Sequence, residues 1–362
     1  MGGDIMKILK DPLSKSIQRF NNNLPDINEL LRFCTEHECS DLYIKVGQEP
    51  YISRYGKMYR VPCFPVNNQI WNSWAKIAIT SENNSKYVRQ KMLDFSYEIE
   101  VDENKYRYRV SAGFSCGKNI ATFRMISVQP PTFERIDFPD NVHNKLKEII
   151  SKRNKITMFV GPTGSGKTTT MVACINDFTR EGGPLDDTTI ISLEDPIEYL
   201  IETSPSVNVI QKELGTDFKE FSLGIKQALR EHPNVINVGE TRDKETIKTL
   251  IEASRTGHQV ITSFHATDVG DAISRIYNYI CSENQDIMYD LITNMHMIIC
   301  QRLYPSDDGF NMDIQYLVFD DVIIRYLNKN IMEGKNIPTV IADLFNKKEL
   351  ENVGLLKDWS VK

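Results

Sequence analysis

Residues 161–168 read Gly-Pro-Thr-Gly-Ser-Gly-Lys-Thr, a full match to the phosphate-binding pattern G-x-x-x-x-G-K-[ST]. Such a loop works only where it joins a buried strand to a helix, so it constrains fold and ligand together. The flanks comply: Lys155 to Val160 is a short apolar run suited to a buried strand, and Thr169 to Phe178 continues as a helix. Gly161, Gly164 and Gly166 let the backbone bend, so that N–H groups and the helix N-terminus face an anion. Pro162, Thr163, Ser165 and Thr169 complete the loop and its exit. Lys167 supplies a mobile positive charge for β- and γ-phosphates, and the Thr168 hydroxyl is placed to ligate Mg2+. The segment predicts a nucleoside-triphosphate site, with ATP and Mg2+ as its ligands.

The chain around this loop has 362 residues, enough for two or three domains with sizeable cores. Its net charge of −6 argues against a broad duplex-binding surface and against nucleic acid as a partner. Cys34, Cys39, Cys63, Cys116, Cys174, Cys281 and Cys300 are scattered and none forms C-x-x-C. That predicts neither a disulfide framework nor zinc, and fits thiols in a reducing cytoplasm. No apolar stretch approaches a membrane span, so membrane association is expected only through partners.

Residues 1–25 read as a polar tail. Asp26 to His37 carries a helical apolar stripe, Asp41 to Val46 alternates as a half-buried strand, and 51–60 suggests a hairpin turning at Tyr55-Gly56-Lys57. Residues 69–91 predict helix, followed by strands over 94–101, 106–112 and 120–128. Gln129-Pro130-Pro131-Thr132 breaks the pattern, so 26–132 forms one domain and 133–140 a linker. From 141 to 330 strands near 156–160, 189–193, 235–239 and 259–264 alternate with amphipathic helices. This predicts an α/β domain with a mostly parallel sheet and ligands at the carboxyl ends of its strands. Residues 331–362 are left as a polar C-terminal segment with a helix ending near Phe345.

Four further segments bear on the chemistry. The strand from Ile190 delivers Glu194, Asp195 and Glu198 at its end, where hydrolysis needs a carboxylate to orient or deprotonate water. The strand from Val235 ends in Glu240, a position suited to Mg2+ or its waters, with Gly239 where an Asp is commoner. Arg242 follows, to pair with a phosphate or with a neighbouring acid. His258 and His265 bracket a third strand; at ~3.3 Å per residue they stand too far apart to share a metal. Sensing of the γ-phosphate region and a structural role both remain open for them. Finally, Lys105, Arg107 and Arg109 alternate with Tyr106 and Tyr108. That stretch admits a solvated strand face, a nucleic-acid surface, or arginines that neutralise phosphate charge from outside the nucleotide domain.

Together these motifs resemble the pilus and secretion ATPase superfamily of type II/IV secretion: a Walker A loop, an "Asp box", a Walker B of the form V-G-E-x-R-D and a "His box", spanning about residues 27–305. Within it the chain is similar to the branch serving Dot/Icm type IVB secretion and conjugative plasmids. Cys39-Ser-Asp41-Leu, Tyr55-Gly56, Tyr106 to Val110, Pro130-Pro131 and Pro139-Asp140-Asn141 carry that likeness. The tetracysteine zinc element of pilus-assembly relatives is missing, and Gly215-Thr216-Asp217 stands where retraction ATPases show His-Arg-Asp-Thr. The resemblance implies a PAS-like N-terminal domain of mixed α/β structure, a RecA-like ATPase domain, and a homohexamer acting with inner-membrane secretion or transfer components. It implies Glu194 as general base, Glu240 holding Mg2+ through water beside Thr168, His258 and His265 as the His-box pair, and Arg107, Arg109 and Arg124 as arginines that reach the phosphates. A cytoplasmic motor for type IVB secretion or conjugation is the leading expectation, with pilus retraction second. A nucleic-acid translocase, a small-molecule kinase and a passive ring subunit are weaker alternatives.

Overall fold

A computed structural model describes residues 12–54, 56–79, 81–126, 131–152, 154–201, 203–280, 285–306, 309–346 and 353–356. Residues 1–11 of the expected tail, Tyr55 of the hairpin turn, Gln129 and Pro130 of the expected break, Cys281 and parts of the C-terminal segment lie outside them. The chain divides into two compact units, Met1–Val128 and Gln129–Lys362.

In the first unit, helices α1 (Pro12–Ser16) and α2 (Ile27–Glu36) precede strands β1 (Asp41–Lys45), β2 (Tyr51–Arg54) and β3 (Lys57–Arg60). Helices α3 (Asn68–Ala78) and α4 (Ser81–Gln90) then lead to β4 (Met92–Val101), β5 (Asn104–Ser115) and β6 (Lys118–Ile126). The six strands form one antiparallel sheet in the order β3-β2-β1-β6-β5-β4. Strand alternation decides which residues enter the core: Tyr108, Val110 and Ala112 are buried, whereas Arg109 is exposed. Residues 12–20 correct the expected tail. Leu13, Ile17 and Phe20 recur at helical spacing and are buried in this core, with the Phe20 ring edge-on to Phe33 at 5.1 Å. Burying three such side chains stabilises by about 1.5–3 kcal/mol each, so this stretch belongs to the domain.

The second unit runs α5 (Asp140–Ser151), β7 (Ile156–Val160), α6 (Lys167–Phe178), β8 (Thr189–Glu194), β9 (Asn208–Glu213), α7 (Phe221–Ala228) and β10 (Val235–Thr241). It continues through α8 (Lys244–Arg255), β11 (Gln259–Phe264), α9 (Val269–Ile280), α10 (Gln285–Thr293), β12 (Met295–Ser306), β13 (Gly309–Val318), α11 (Asp321–Met332), α12 (Ile337–Asn346) and β14 (Val353–Leu356). Its sheet order is β14-β13-β12-β7-β11-β10-β8-β9. Strands β7 to β12 are mutually parallel, and β13 and β14 add antiparallel pairs. The four expected strands are present, while β9, β12, β13 and β14 carried too little pattern to be foreseen. Strand β7 is buried throughout and lies between β11 and β12, so the loop leaving it opens at the crowded middle of the sheet.

Two boundaries differ from expectation. Residues 133–140 are not a free linker: Phe133 and Phe138 lie 5.0 Å apart between ring centroids and join Val142, Leu146 and Phe178 in the core of this unit. The segment after residue 330 is likewise integral, because Ile337, Val340, Ile341 and Leu344 pack into the other core layer and β14 pairs with β13. Among the described residues no helix is long and apolar enough to cross a membrane.

Candidate active site

The loop after β7 is held from three sides. The Gly161 N–H donates to the Phe264 carbonyl of β11 at 3.3 Å, and Gln301 Nε2 of β12 donates to the Ser165 carbonyl at 2.6 Å. Gly166 caps α6 in the left-handed conformation, φ 81°, and a Cβ there would sit 3.1 Å from Leu303 Cδ1. No side chain caps this helix, so its first-turn N–H groups, which lack intrahelical acceptors, remain for an anion. The Ser165 hydroxyl and Gln301 Oε1 are buried without a partner among the described residues. Lys167, only 8% exposed, donates to the carbonyls of Gly161 and Pro162 at 3.0 Å each. Burial lowers its pKa, and the nearby Glu240 charge opposes that. An ammonium tied to two carbonyls beside uncapped helix N–H groups fits a polyphosphate.

The two acids arrive on adjacent strands. Val238 of β10 pairs with Leu193 of β8, which places Glu240 and Glu194 at neighbouring strand ends. Gly239 permits this spacing, since a Cβ would lie 3.3 Å from the Leu193 carbonyl and 3.4 Å from Glu194 Cα. The aspartate commoner at that position would push against the Glu194 backbone.

Glu240 is a charged hub. Its carboxylate meets Arg242 Nη2 at 2.6 Å and His265 Nε2 at 2.9 Å, and Arg242 Nη1 also reaches Asp195 Oδ2 at 3.2 Å. The Nδ1 atom of His265 lies 3.4 Å from Lys167 Nζ. A carboxylate only accepts and an ammonium only donates, so one neutral tautomer, protonated on Nε2, satisfies both neighbours of His265. His265 thus bridges the lysine of the loop to the acid of β10. Among the described residues no group of three or more His, Cys, Asp or Glu forms a metal cage.

Glu194 is held differently. It is 3% exposed and accepts from Ser192 Oγ at 2.6 Å and Gln211 Nε2 at 2.9 Å. Burial pushes its carboxyl above the usual range and these two hydrogen bonds pull it back, while Glu198 acts both ways, its charge raising it and its backbone hydrogen bond lowering it. A buried base with a raised pKa beside a phosphate loop suits proton abstraction from water. On the helix side, Thr169 Oγ1 lies 3.3 Å from the Tyr199 hydroxyl.

His258 does not join this group within the unit. Strand β11 runs from Gln259 to Phe264, so its carboxyl end meets the loop while His258 precedes its other end. There the imidazole bonds the Ala253 carbonyl at 3.1 Å and Thr256 Oγ1 at 3.2 Å, closing the end of α8. Within this unit its contacts are therefore local ones at the end of α8, away from Lys167. Arg107, Arg109 and Arg124 belong to the first unit. Arg107 pairs with Glu98 at 3.6 Å and Arg124 with Asp41 at 2.9 Å, while exposed Arg109 makes no ion pair or hydrogen bond among the described residues. Tyr108 is fully buried with its hydroxyl on the Leu31 carbonyl at 2.9 Å, so no base can stack on it.

A family model described as "Type II/IV secretion system protein" (T2SSE) matches residues 24–327. The chain belongs to that family. As a secretion-family ATPase it has relatives across pilus and secretion systems. The type IV pilus retraction ATPase PilT of Pseudomonas aeruginosa is 29% identical over 83% of this chain and 85% of its own. A twitching motility protein of Neisseria gonorrhoeae is 31% identical over 72% and 67%. Among solved structures, the ATPase DotB of Legionella pneumophila superposes with a TM-score of 0.75 at 27% identity, covering 91% of this chain and 93% of that one. The pilus retraction motor PilT with bound ADP gives 0.76 at 27%, covering 92% and 94%. The RecA-like ATPase unit and the PAS-like unit before it are therefore the family's architecture. Sequence reasoning missed Ser192, Gln211, Asn237 and Gln301 of this secretion ATPase, because polar residues inside strands give no local signal. Only the Gln301 position, closing the apolar run Met297 to Cys300, offered a hint.

Proposed function

We propose that this chain is the subunit of a hexameric motor that hydrolyses Mg2+-bound ATP to drive a type IVB secretion or conjugative transfer apparatus. It works at the cytoplasmic face of the inner membrane through that apparatus's own components. One observation carries the ATPase chemistry: Lys167, His265 and Glu240 form a continuous chain along one phosphate loop, with a separate buried carboxylate, Glu194, on the adjacent strand. Lys167 exchanges the Gly161 and Pro162 carbonyls for β- and γ-phosphate oxygens. Thr168 and Glu240 would hold Mg2+, which would supply positive charge to the phosphate oxygens. Glu194 takes a proton from water as the water oxygen bonds to the γ-phosphorus; the bond from that phosphorus to the bridging oxygen breaks and ADP leaves. Arg109, with Arg107 and Arg124, supplies positive charge to the phosphates during the cycle. Phosphate release by the purified protein, lost in Glu194→Gln, tests the chemistry. A hexameric mass by sedimentation tests the assembly.

The type IVB and conjugative assignment rests on the fold match to DotB and on Gly215-Thr216-Asp217, which forms a tight turn closed by the Gly215 N–H to the Phe218 carbonyl at 2.7 Å. Pilus retraction is the second reading, favoured by the equal match to PilT. Deleting the gene and scoring substrate or plasmid transfer against pilus retraction separates them. Loss of retraction with intact transfer would overturn the first reading.

A further inference from the structure

Glu194 sits at the centre of a line of buried and half-buried polar side chains. Asn237 Nδ2 of β10 donates to Ser192 Oγ at 2.8 Å, and Ser192 donates its proton to Glu194 Oε1 at 2.6 Å. From the other flank Gln211 Nε2 on β9 donates to the same carboxylate oxygen at 2.9 Å and to the Tyr199 carbonyl at 2.8 Å. Gln211 Oε1 accepts the Ile201 N–H at 3.0 Å. Tyr199 then meets Thr169, in the first turn of the phosphate-loop helix, through their hydroxyls at 3.3 Å. Every donor and acceptor of the Gln211 amide that points inward is thereby used, which fixes its orientation without ambiguity.

We propose that Gln211 is a positioning residue for hydrolysis, holding the Glu194 carboxylate in place and tying it, through Tyr199, to the helix that binds the phosphates. This rests on Glu194 acting as the base. The physical need is plain. A carboxylate buried among apolar strands tends to take up a proton, and a protonated base cannot accept one from water. Two neutral side-chain donors on Oε1, with a backbone hydrogen bond from Glu198 beside them, favour the charged form and stop the side chain from rotating. Among the described residues no cation does this work. Glu198 in the following loop has like charge, and Glu213, opposite on β9, is tied to the Ile197 N–H at 3.2 Å. Lys212 is taken by Glu231 at 2.6 Å, and Glu240 is matched by Arg242 and His265. The strand position of Gln211 also means that a shift of the Thr169 turn upon nucleotide binding is felt at Glu194 by a short hydrogen-bonded path.

The test is the pH profile of steady-state phosphate release by the full chain, with Gln211→Met, which keeps volume and removes both donors, and Gln211→Glu. Gln211→Met is expected to lose roughly tenfold in kcat at neutral pH, with KM for ATP within about twofold and the acid limb of kcat moved to higher pH. Gln211→Glu, adding like charge, moves that limb further in the same direction. An acid limb unmoved in both variants, or a loss confined to KM, overturns the proposal. So does a Glu194→Gln/Gln211→Met double variant much weaker than Glu194→Gln alone, because the two act as one unit only if the amide works through the carboxylate. Retained activity in Glu194→Gln overturns the assignment of the base itself. A melting curve for each variant separates misfolding from misplacement.

Discussion

Glu194 and Glu240 end two adjacent strands and look alike in sequence, yet the fold gives them opposite surroundings. Glu194 is buried among neutral donors, and its carboxyl is pushed above the usual range by desolvation. Glu240, with its side chain 17% exposed, is clasped by Arg242 and His265. A buried carboxylate held by neutral donors suits proton transfer, whereas one paired with a guanidinium and an imidazole N–H at the mouth of the loop suits holding a metal's waters. Neighbouring strands thus give two glutamates different environments by burial and partners rather than by residue type, which is the ground for the proposed division into base and metal holder.

That division is most exposed to a Glu194→Gln variant, expected to lose about 10²–10⁴ in kcat at every Mg2+ concentration. A loss that extra Mg2+ repaired would erase the distinction between the two acids. Glu240→Gln comes next, with a loss on the order of 10–10² that rising Mg2+ partly restores; phosphate release titrated with Mg2+ reads it. Arg242→Ala touches only the exposed side of the cluster, and less than about a fivefold change in rate is expected, since such half-exposed pairs contribute ~1 kcal/mol or less.

The smallest effect is thermal. The folded-state pKa of Glu194 is raised, so its contribution favours folding below the ordinary glutamate pKa and is lost as pH rises through the folded value. Glutamine carries no such dependence. The melting temperature of Glu194→Gln should therefore exceed the wild type by about 2 °C near pH 8 and approach it near pH 5. A gap that widens towards acid would contradict the buried-base description.

Much of this site was legible in the chain because its parts are local. Lys167 and Thr168 follow from eight consecutive residues, and each acid from an apolar run that ends in Glu. Gln211 was not legible, since β9 reads Asn-Val-Ile-Gln-Lys-Glu, a half-polar edge strand without clean alternation. The separation of His258 and His265 was legible too: six residues of extended strand hold the two at opposite ends of β11, as their spacing predicts. The tail was misread for a different reason: Leu13, Ile17 and Phe20 are too few to mark a helix until the Phe33 face is there to receive them.

The sequence by itself determined that this chain binds a nucleoside triphosphate on a strand–loop–helix unit, because a phosphate cradle needs only a bend, backbone N–H groups and a lysine within eight residues. It also contained both acids. Which acid is buried among neutral donors was decided by tertiary structure. Ser192 lies two residues from Glu194, but Gln211 lies 17 residues from it and Asn237, which holds Ser192, 45 residues further along the chain. His265 reaches Lys167 across 98 residues. Charge state and aim depend on burial and on partners, and both exist only once distant strands have paired.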